Sequence, residues 1–265
     1  MPEIIDFHAH IYPDKIALKA AESIGRFYSI PMGHSGTVDS LIESGKRAGI
    51  GRFVVQSVAT SPKQVHSIND FISESVQAHP RQLVGLGTLH PGMEDPKSEI
   101  ERIQALGLHG VKIHPDVQQF LLDDERMMSI YATLAEKKLP MLIHCGDYRY
   151  PYSHPERLAR VLDRFPGLTV VAAHFGGWSL WDLAMEYLLS RRCYLDTSSS
   201  LAFLGSVRGR EIVRAYGAER LVFGVDFPMW DHDEELERFM ALGLSEEENQ
   251  RILHDNALKI LGLSK

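Results

Sequence analysis

Eight short, apolar, β-rich runs separated by stretches of helical periodicity constrain this chain more than any other feature. The runs are IIDF from Ile4, FVVQSVA from Phe53, LVGLGTL from Leu83, GVKI from Gly110, PMLI from Pro140, LTVVAA from Leu168, CYLDTS from Cys193 and LVFGV from Leu221. Several are apolar at consecutive positions, the pattern of strands buried on both faces of a parallel sheet. Between them, HPERLARVLDRF places Leu158, Val161, Leu162 and Phe165 on one helical stripe. DDERMMSIYATLAEKK carries acids in its first turn and lysines in its last, matching the helix dipole. After the first run, strand starts recur roughly every 25 to 30 residues, the repeat of one βα unit. With no linker rich in Pro, Gly or Ser, this pattern predicts an α/β fold, a (β/α)₈ TIM barrel forming a single domain over residues 1–265. The stretch 11–36 is too long for an ordinary βα loop and reads as an insertion, a lid or a short extra helix. An open doubly wound sheet would need a Gly-rich phosphate loop after the first strand, where HAHIYP stands instead.

A net charge of −7 argues against a nucleic-acid partner, since phosphate binding needs a basic stripe. No apolar run approaches the roughly 20 residues of a membrane span, so no membrane association is expected. The opening MPEIIDFHAH does not read as a secretory signal. Two cysteines, Cys145 and Cys193, are too few for a disulfide framework and point to a reducing cytoplasm. Cys145 reads as a small buried thiol. A small-molecule substrate is the expected partner, and a homodimer is compatible with the sequence.

In a barrel of this kind the active site lies at the C-terminal ends of the strands. Those ends carry Asp6, His8 and His10, then Lys112 and His114, His144, His174, Asp196 and Ser198, and Asp226. Strand alternation turns His8 and His10 the same way, with Phe7 and Ala9 opposite, and pairs Lys112 with His114 against Val111 and Ile113. Three imidazoles (His8, His10, His144) and the Asp226 carboxylate suit one divalent cation, Zn²⁺ first, with Mn²⁺ or Fe²⁺ also fitting, and leave a position open for water. His34, His66, His79, His154, His232 and His254 fall in loops or helices and are expected in solvent; His90 and His109 receive no role.

With these residues in place, the chain resembles the amidohydrolase superfamily, in particular its amidohydrolase-related (amidohydrolase 2) branch. The matching segments are IIDFHAHIYP, HGVKIHPDVQQF, LPMLIHCGD, VVAAHFGGW, FGVDFPMW and the closing NALKILGL, in the family's order from Ile4 to Leu263. The resemblance implies a (β/α)₈ barrel with metal ligands His8, His10, His144 and Asp226, and with His174 touching the bound water or the substrate, or itself ligating. Relatives with two metals carry a carboxylated lysine where Lys112 stands. On charge logic Lys112 reads instead as a cation that orients an anionic substrate or pairs with a carboxylate. Barrel nucleases that also begin with H-x-H carry a glutamate on a middle strand, and LVGLGTLHPG and GVKIHP contain none.

The leading expectation is a metal-dependent hydrolase of amide, ester or lactone type, acting on a small carboxylated molecule. Asp226 would take the water proton and His174 would stabilise the oxyanion. The alternative is a non-oxidative decarboxylase using the same ligands. Lys112, Arg149 and Trp178 would contact the substrate, with Trp230 near the mouth. A barrel that keeps its metal only for stability is the third reading, disfavoured because structural zinc sites are closed and usually Cys-rich.

Overall fold

Parallel pairing carries the strands round a closed barrel in chain order. The computed structural model describes residues 3–264. The strands are β1 (Ile4–His10), β2 (Ile50–Gln56), β3 (Leu83–Gly85, continuing as Gly87–Thr88), β4 (Val111–Ile113), β5 (Met141–Ile143), β6 (Val170–Ala172), β7 (Tyr194–Asp196) and β8 (Leu221–Val222). Every neighbouring pair is parallel. At the break in β3, the Leu86 amide donates to Val55 O and the Gly87 amide to Gly110 O, both at 2.9 Å. The seam between β8 and β1 is closed by amides of Phe7 to Phe223 O (2.8 Å), Asp226 to His8 O (2.7 Å) and His10 to Phe227 O (2.7 Å). Closure leaves no unpaired strand edge, and the expected TIM barrel is the fold observed.

Among the described residues twelve α-helices accompany the strands: α1 (Asp14–Tyr28), α2 (Val38–Ala48), α3 (Val65–Ala78), α4 (Pro96–Ala105), α5 (Pro115–Gln118), α6 (Glu125–Lys137), α7 (Pro155–Arg164), α8 (Trp181–Leu188), α9 (Leu201–Tyr216), α10 (His232–Met240), α11 (Glu246–Gln250) and α12 (Asn256–Leu261). Stretch 11–36 is thus largely the 15-residue α1, between β1 and α2. Its buried side is Ala17, Ala21 and Gly25, a small-residue row at i, i+4, i+8 that lets it lie close to the barrel. A Cβ on Gly25 would come within 2.9 Å of Ile30 O.

Apolar side chains divide between two clusters. Val55, Val111, Ile113, Ile143, Val170 and Leu195 join the large layer shared with the helices. Ile5, Phe7, Val54, Val84, Leu86, Leu142, Val171 and Val222 form a separate cluster that also contains Ala257, Leu258, Ile260 and Leu261 of α12. The His109 ring, just before β4, bonds Leu261 O at 3.1 Å. The last helix therefore stops the end of the barrel where the strands begin, and leaves the opposite end for chemistry.

Strict alternation fails in β1. Asp6 pairs with Phe53 and Ala9 with Val55, so three steps on β1 face two on β2 and one extra residue is accommodated between them. Such a bulge re-aims side chains. Phe7 packs in the inner cluster rather than opposite His8. Asp6 turns away from the site: its carboxylate accepts from the His8 and Val225 amides (both 2.9 Å) and meets His232 Nε2 at 3.2 Å. His232, expected in solvent, is fully buried, its other nitrogen 2.8 Å from Ser44 Oγ. His34 likewise binds Asp231 at 3.0 Å, whereas the His66 side chain is 66% exposed. Truncating Phe7 removes the largest side chain of the inner cluster, so Phe7→Ala is expected to lose about 3–5 kcal/mol, read as a lower urea midpoint.

Candidate metal centre and its cavity

His8 and His10 from β1, Lys112 from β4, and His144, His174 and Asp226 from the segments after β5, β6 and β8 all line one cavity of about 590 Å³. Helix α1 supplies another wall through Ile16, Lys19, Ala20, Ile24 and Tyr28, and α3 a third through Ser67, Ile68 and Phe71. Three site residues hold left-handed backbone without being glycine: His174 (φ 60°), Ser199 (φ 48°) and Asp226 (φ 67°). Backbone of this kind persists only where its surroundings over-determine it, and it gathers at functional sites. Gly146 (φ 83°) has a different reason, because a Cβ there would sit 2.4 Å from Gly177 C and force apart the loops that carry His144 and His174.

Hydrogen bonds fix where the ring lone pairs point. The His8 Nδ1–H donates to Asp196 Oδ2 at 2.7 Å, which leaves Nε2 facing the cavity. His8 Nε2 lies 3.2 Å from His10 Nε2 and 3.4 Å from Asp226 Oδ1, with His10 Nε2 3.5 Å from that oxygen. The His144 Nε2–H donates to Gly146 O at 2.9 Å, and the His174 Nδ1–H to Ser198 O at 3.1 Å. His144 Nδ1 and His174 Nε2 therefore present lone pairs to each other across 3.0 Å. Such a set of electron-rich atoms, oriented by outer carboxylate and carbonyl groups, is how proteins prepare a cation site. Hard or borderline divalent ions match its nitrogen and oxygen donors.

Among the described residues three groups of His and Asp could hold a metal, each with ligand atoms within 4.8 Å: His8–His10–Asp226, His8–His174–Asp196 and His114–Asp116–His144. The first is the one whose members all line the cavity. Asp196 is already committed, accepting from His8, from the His174 amide (2.9 Å) and from the Ser198 amide (3.0 Å) and hydroxyl (2.5 Å). In the third group Asp116 Oδ2 accepts from Ser153 Oγ at 2.5 Å.

Burial governs the electrostatics. It holds the pKa of His8, His10 and His144 well below the usual imidazole range, reinforced by Lys112 at His8, by His8 at His10 and by His114 at His144. Burial also brings His174 down to about 4, against the pull of Asp196. Neutral imidazoles are the form that metals bind. Lys112 is completely buried with Nζ 3.0 Å from His8 Nε2; burial lowers it to about 8, opposed by Asp226 and Asp196.

Arg149 and Trp178 are not among the residues lining the cavity. Arg149 is engaged by Asp147 (Nε 2.9 Å, Nη2 2.7 Å) and donates to Phe27 O at 2.7 Å. Trp178 packs edge-on to Tyr28, ring centroids 5.2 Å apart. Sequence reasoning assigned no role to Tyr28, whose hydroxyl lies 2.6 Å from His114 Nε2, and left Asp196 without one. Asp196 stands among the strand-end residues read from the sequence, but its hold on His8 Nδ1 shows only in three dimensions. Tyr28 sits in a helix remote from any motif, and no local signal marks it.

A closed parallel barrel with a His/Asp donor set at the C-terminal mouth defines a class of metal-site (β/α)₈ proteins. The amidohydrolase family profile matches residues 5–263, and the chain belongs to that family. Among its relatives is γ-resorcylate decarboxylase from a Polaromonas species, 22% identical over 265 residues, spanning 80% of this chain and 81% of the relative. A 5-carboxyvanillate decarboxylase from Novosphingobium aromaticivorans, solved with manganese and 4-hydroxy-3-methoxy-5-nitrobenzoic acid, superposes with a TM-score of 0.75 at 17% identity, covering 98% of this chain and 96% of that one. A Pseudomonas putida protein named for 2-pyrone-4,6-dicarboxylic acid hydrolysis superposes with a TM-score of 0.70 at 22% identity, covering 99% and 98%. These structural likenesses establish the fold. For the site itself, Asp196→Asn is expected to weaken divalent-metal binding about 10- to 100-fold, measured by chelator competition, since it frees His8 to rotate and change tautomer.

Proposed function

We propose that this chain is a metal-dependent, non-oxidative decarboxylase of a small carboxylated ring compound. The observation that carries the reading is the junction of two surfaces: a donor set of His8, His10 and Asp226 beside buried Lys112, opening onto walls of Ile16, Ile24, Ile68, Phe71, Val117 and Met229. Apolar walls with a few convergent polar groups suit a flat organic ligand. The decarboxylases among the relatives support the lyase reading over the hydrolase expected from sequence.

In this proposal His8, His10, Asp226 and His144 would hold one divalent ion, Zn²⁺ or Mn²⁺, and His174, whose Nε2 lies 3.0 Å from His144 Nδ1, is the neighbouring imidazole. When bound, that ion supplies Lewis-acid polarisation of the substrate's oxygens. Lys112 Nζ offers a cation, out of water, to the carboxylate or a neighbouring ring oxygen. Asp226 would relay a solvent proton to the ring carbon. Its Oδ2 accepts from Ser199 Oγ at 2.6 Å, and Ser199 Oγ in turn accepts from Trp230 Nε1 at 2.8 Å, which fixes the carboxyl's orientation. The balance is R–CO₂⁻ + H⁺ → R–H + CO₂: the C–C bonding pair returns to the ring, and a solvent proton reaches that carbon by way of the Asp226 carboxylate.

The second reading, hydrolysis of a carboxylated lactone, rests on the likeness to the pyrone hydrolase; there Asp226 would take a proton from the attacking water. A panel of hydroxybenzoates and 2-pyrone-4,6-dicarboxylate separates the two. CO₂ release from a ring acid, abolished by chelation and restored by Zn²⁺ or Mn²⁺, is expected. Asp226→Asn should lower turnover at least about a hundredfold. Ring opening without CO₂ would favour hydrolysis, and full turnover in Asp226→Asn would overturn both assignments of Asp226.

A further inference from the structure

We infer that Tyr28 is a specificity-determining residue that donates its phenolic proton to a ring oxygen of the bound substrate, an inference that rests on the carboxylated-ring reading above. Tyr28 lines the cavity from the last turn of α1. Its hydroxyl and His114 Nε2 are 2.6 Å apart, and the direction of that bond follows from the other side of the imidazole. His114 is the N-cap of α5, and its Nδ1 accepts the Val117 amide at 3.4 Å. A proton on Nδ1 would oppose that amide, so the neutral ring carries its proton on Nε2 and donates it to the tyrosine oxygen. Tyr28 then keeps its own proton for another acceptor. Among the described residues its hydroxyl has no second protein hydrogen-bond partner, and Tyr28 lines the same cavity as His114, His144, Lys112 and Asp226.

The donor is also held in place. Trp178 and Phe27 meet the Tyr28 ring edge-on, with centroids at 5.2 and 4.9 Å. The Arg149 guanidinium carbon lies 5.3 Å from the Tyr28 ring centroid and 5.2 Å from that of Phe27, while Nη1 donates to Phe27 O. Asp147, two residues past Cys145, anchors the guanidinium. Arg149 is thus a positioning residue, a tie between α1 and the loop that follows His144. A donor fixed before binding costs little ordering when the ligand arrives. It favours a ligand with an oxygen on the ring in addition to its carboxylate.

The test is calorimetric binding of 2,6-dihydroxybenzoate and of benzoate to metal-loaded wild type and Tyr28→Phe. The variant should bind 2,6-dihydroxybenzoate about tenfold more weakly and benzoate unchanged, with metal content the same. Equal affinity of the two proteins for 2,6-dihydroxybenzoate overturns the role of Tyr28 while leaving the decarboxylase reading standing. If wild type binds neither acid, the substrate class fails, and ¹⁵N imidazole NMR then decides the hydrogen bond by itself. His114 protonated on Nδ1 would overturn the inference; protonation on Nε2 upholds the free phenolic donor.

Discussion

Electron-rich atoms held close together and out of water are the constraint on which this molecule turns. His8 Nε2 and His10 Nε2 stand 3.2 Å apart, and His144 Nδ1 and His174 Nε2 3.0 Å apart. Burial prevents the rings from relieving this by taking up protons, and outer acceptors prevent those of His8, His144 and His174 from turning over. A cation is what satisfies such a set. Lys112 supplies one charge at His8, and the Asp226 carboxylate accommodates a second. The backbone is bent to keep the arrangement: a bulge in β1, and left-handed residues at His174, Ser199 and Asp226.

The rest of the fold serves that concentration of polarity by being apolar elsewhere. Phe7, Val54, Leu142 and Val171 fill the barrel beneath the site, and α12 stops its far end. A close-packed apolar interior gives the site residues a rigid floor. The mouth is roofed unevenly, by the strand-end loops on one side and α1 on the other, and the cavity between them carries Lys19 at its edge as well as Lys112 within. The protein as a whole is acidic at −7, so these lysines set the local sign where an anionic ligand would enter.

The barrel was legible in the sequence because consecutive apolar residues, helical stripes and a regular repeat agreed with one another. That His8, His10, His144, His174 and Asp226 line one cavity was legible for a different reason: a TIM barrel gathers the residues after its strands, so position along the chain translates into position in space; the close donor group itself holds His8, His10 and Asp226, with His144 outside it. What escaped depends on tertiary detail. Strict alternation put Phe7 opposite His8, and only the register of β1 on β2 reveals the extra residue. His232 looked like a solvent-facing helical histidine, yet α10 presses it against Asp6 and Ser44. Arg149 read as a substrate cation, whereas the nearest carboxylate, Asp147, and the end of α1 occupy it. Tyr28 reaches His114 from 86 residues away in a helix without any motif.

Both proposed readings, C–C and C–O cleavage, would depend on one ion held by the His/Asp donor set. X-ray absorption of the protein loaded with one equivalent of Zn²⁺ or Mn²⁺ addresses that ion directly. A shell of nitrogen and oxygen neighbours with the outer scattering of about three imidazoles is expected, and it should lose part of that outer scattering in His144→Ala. A fully hydrated ion, a sulfur neighbour, or a spectrum indifferent to His144 would contradict the assignment of the centre.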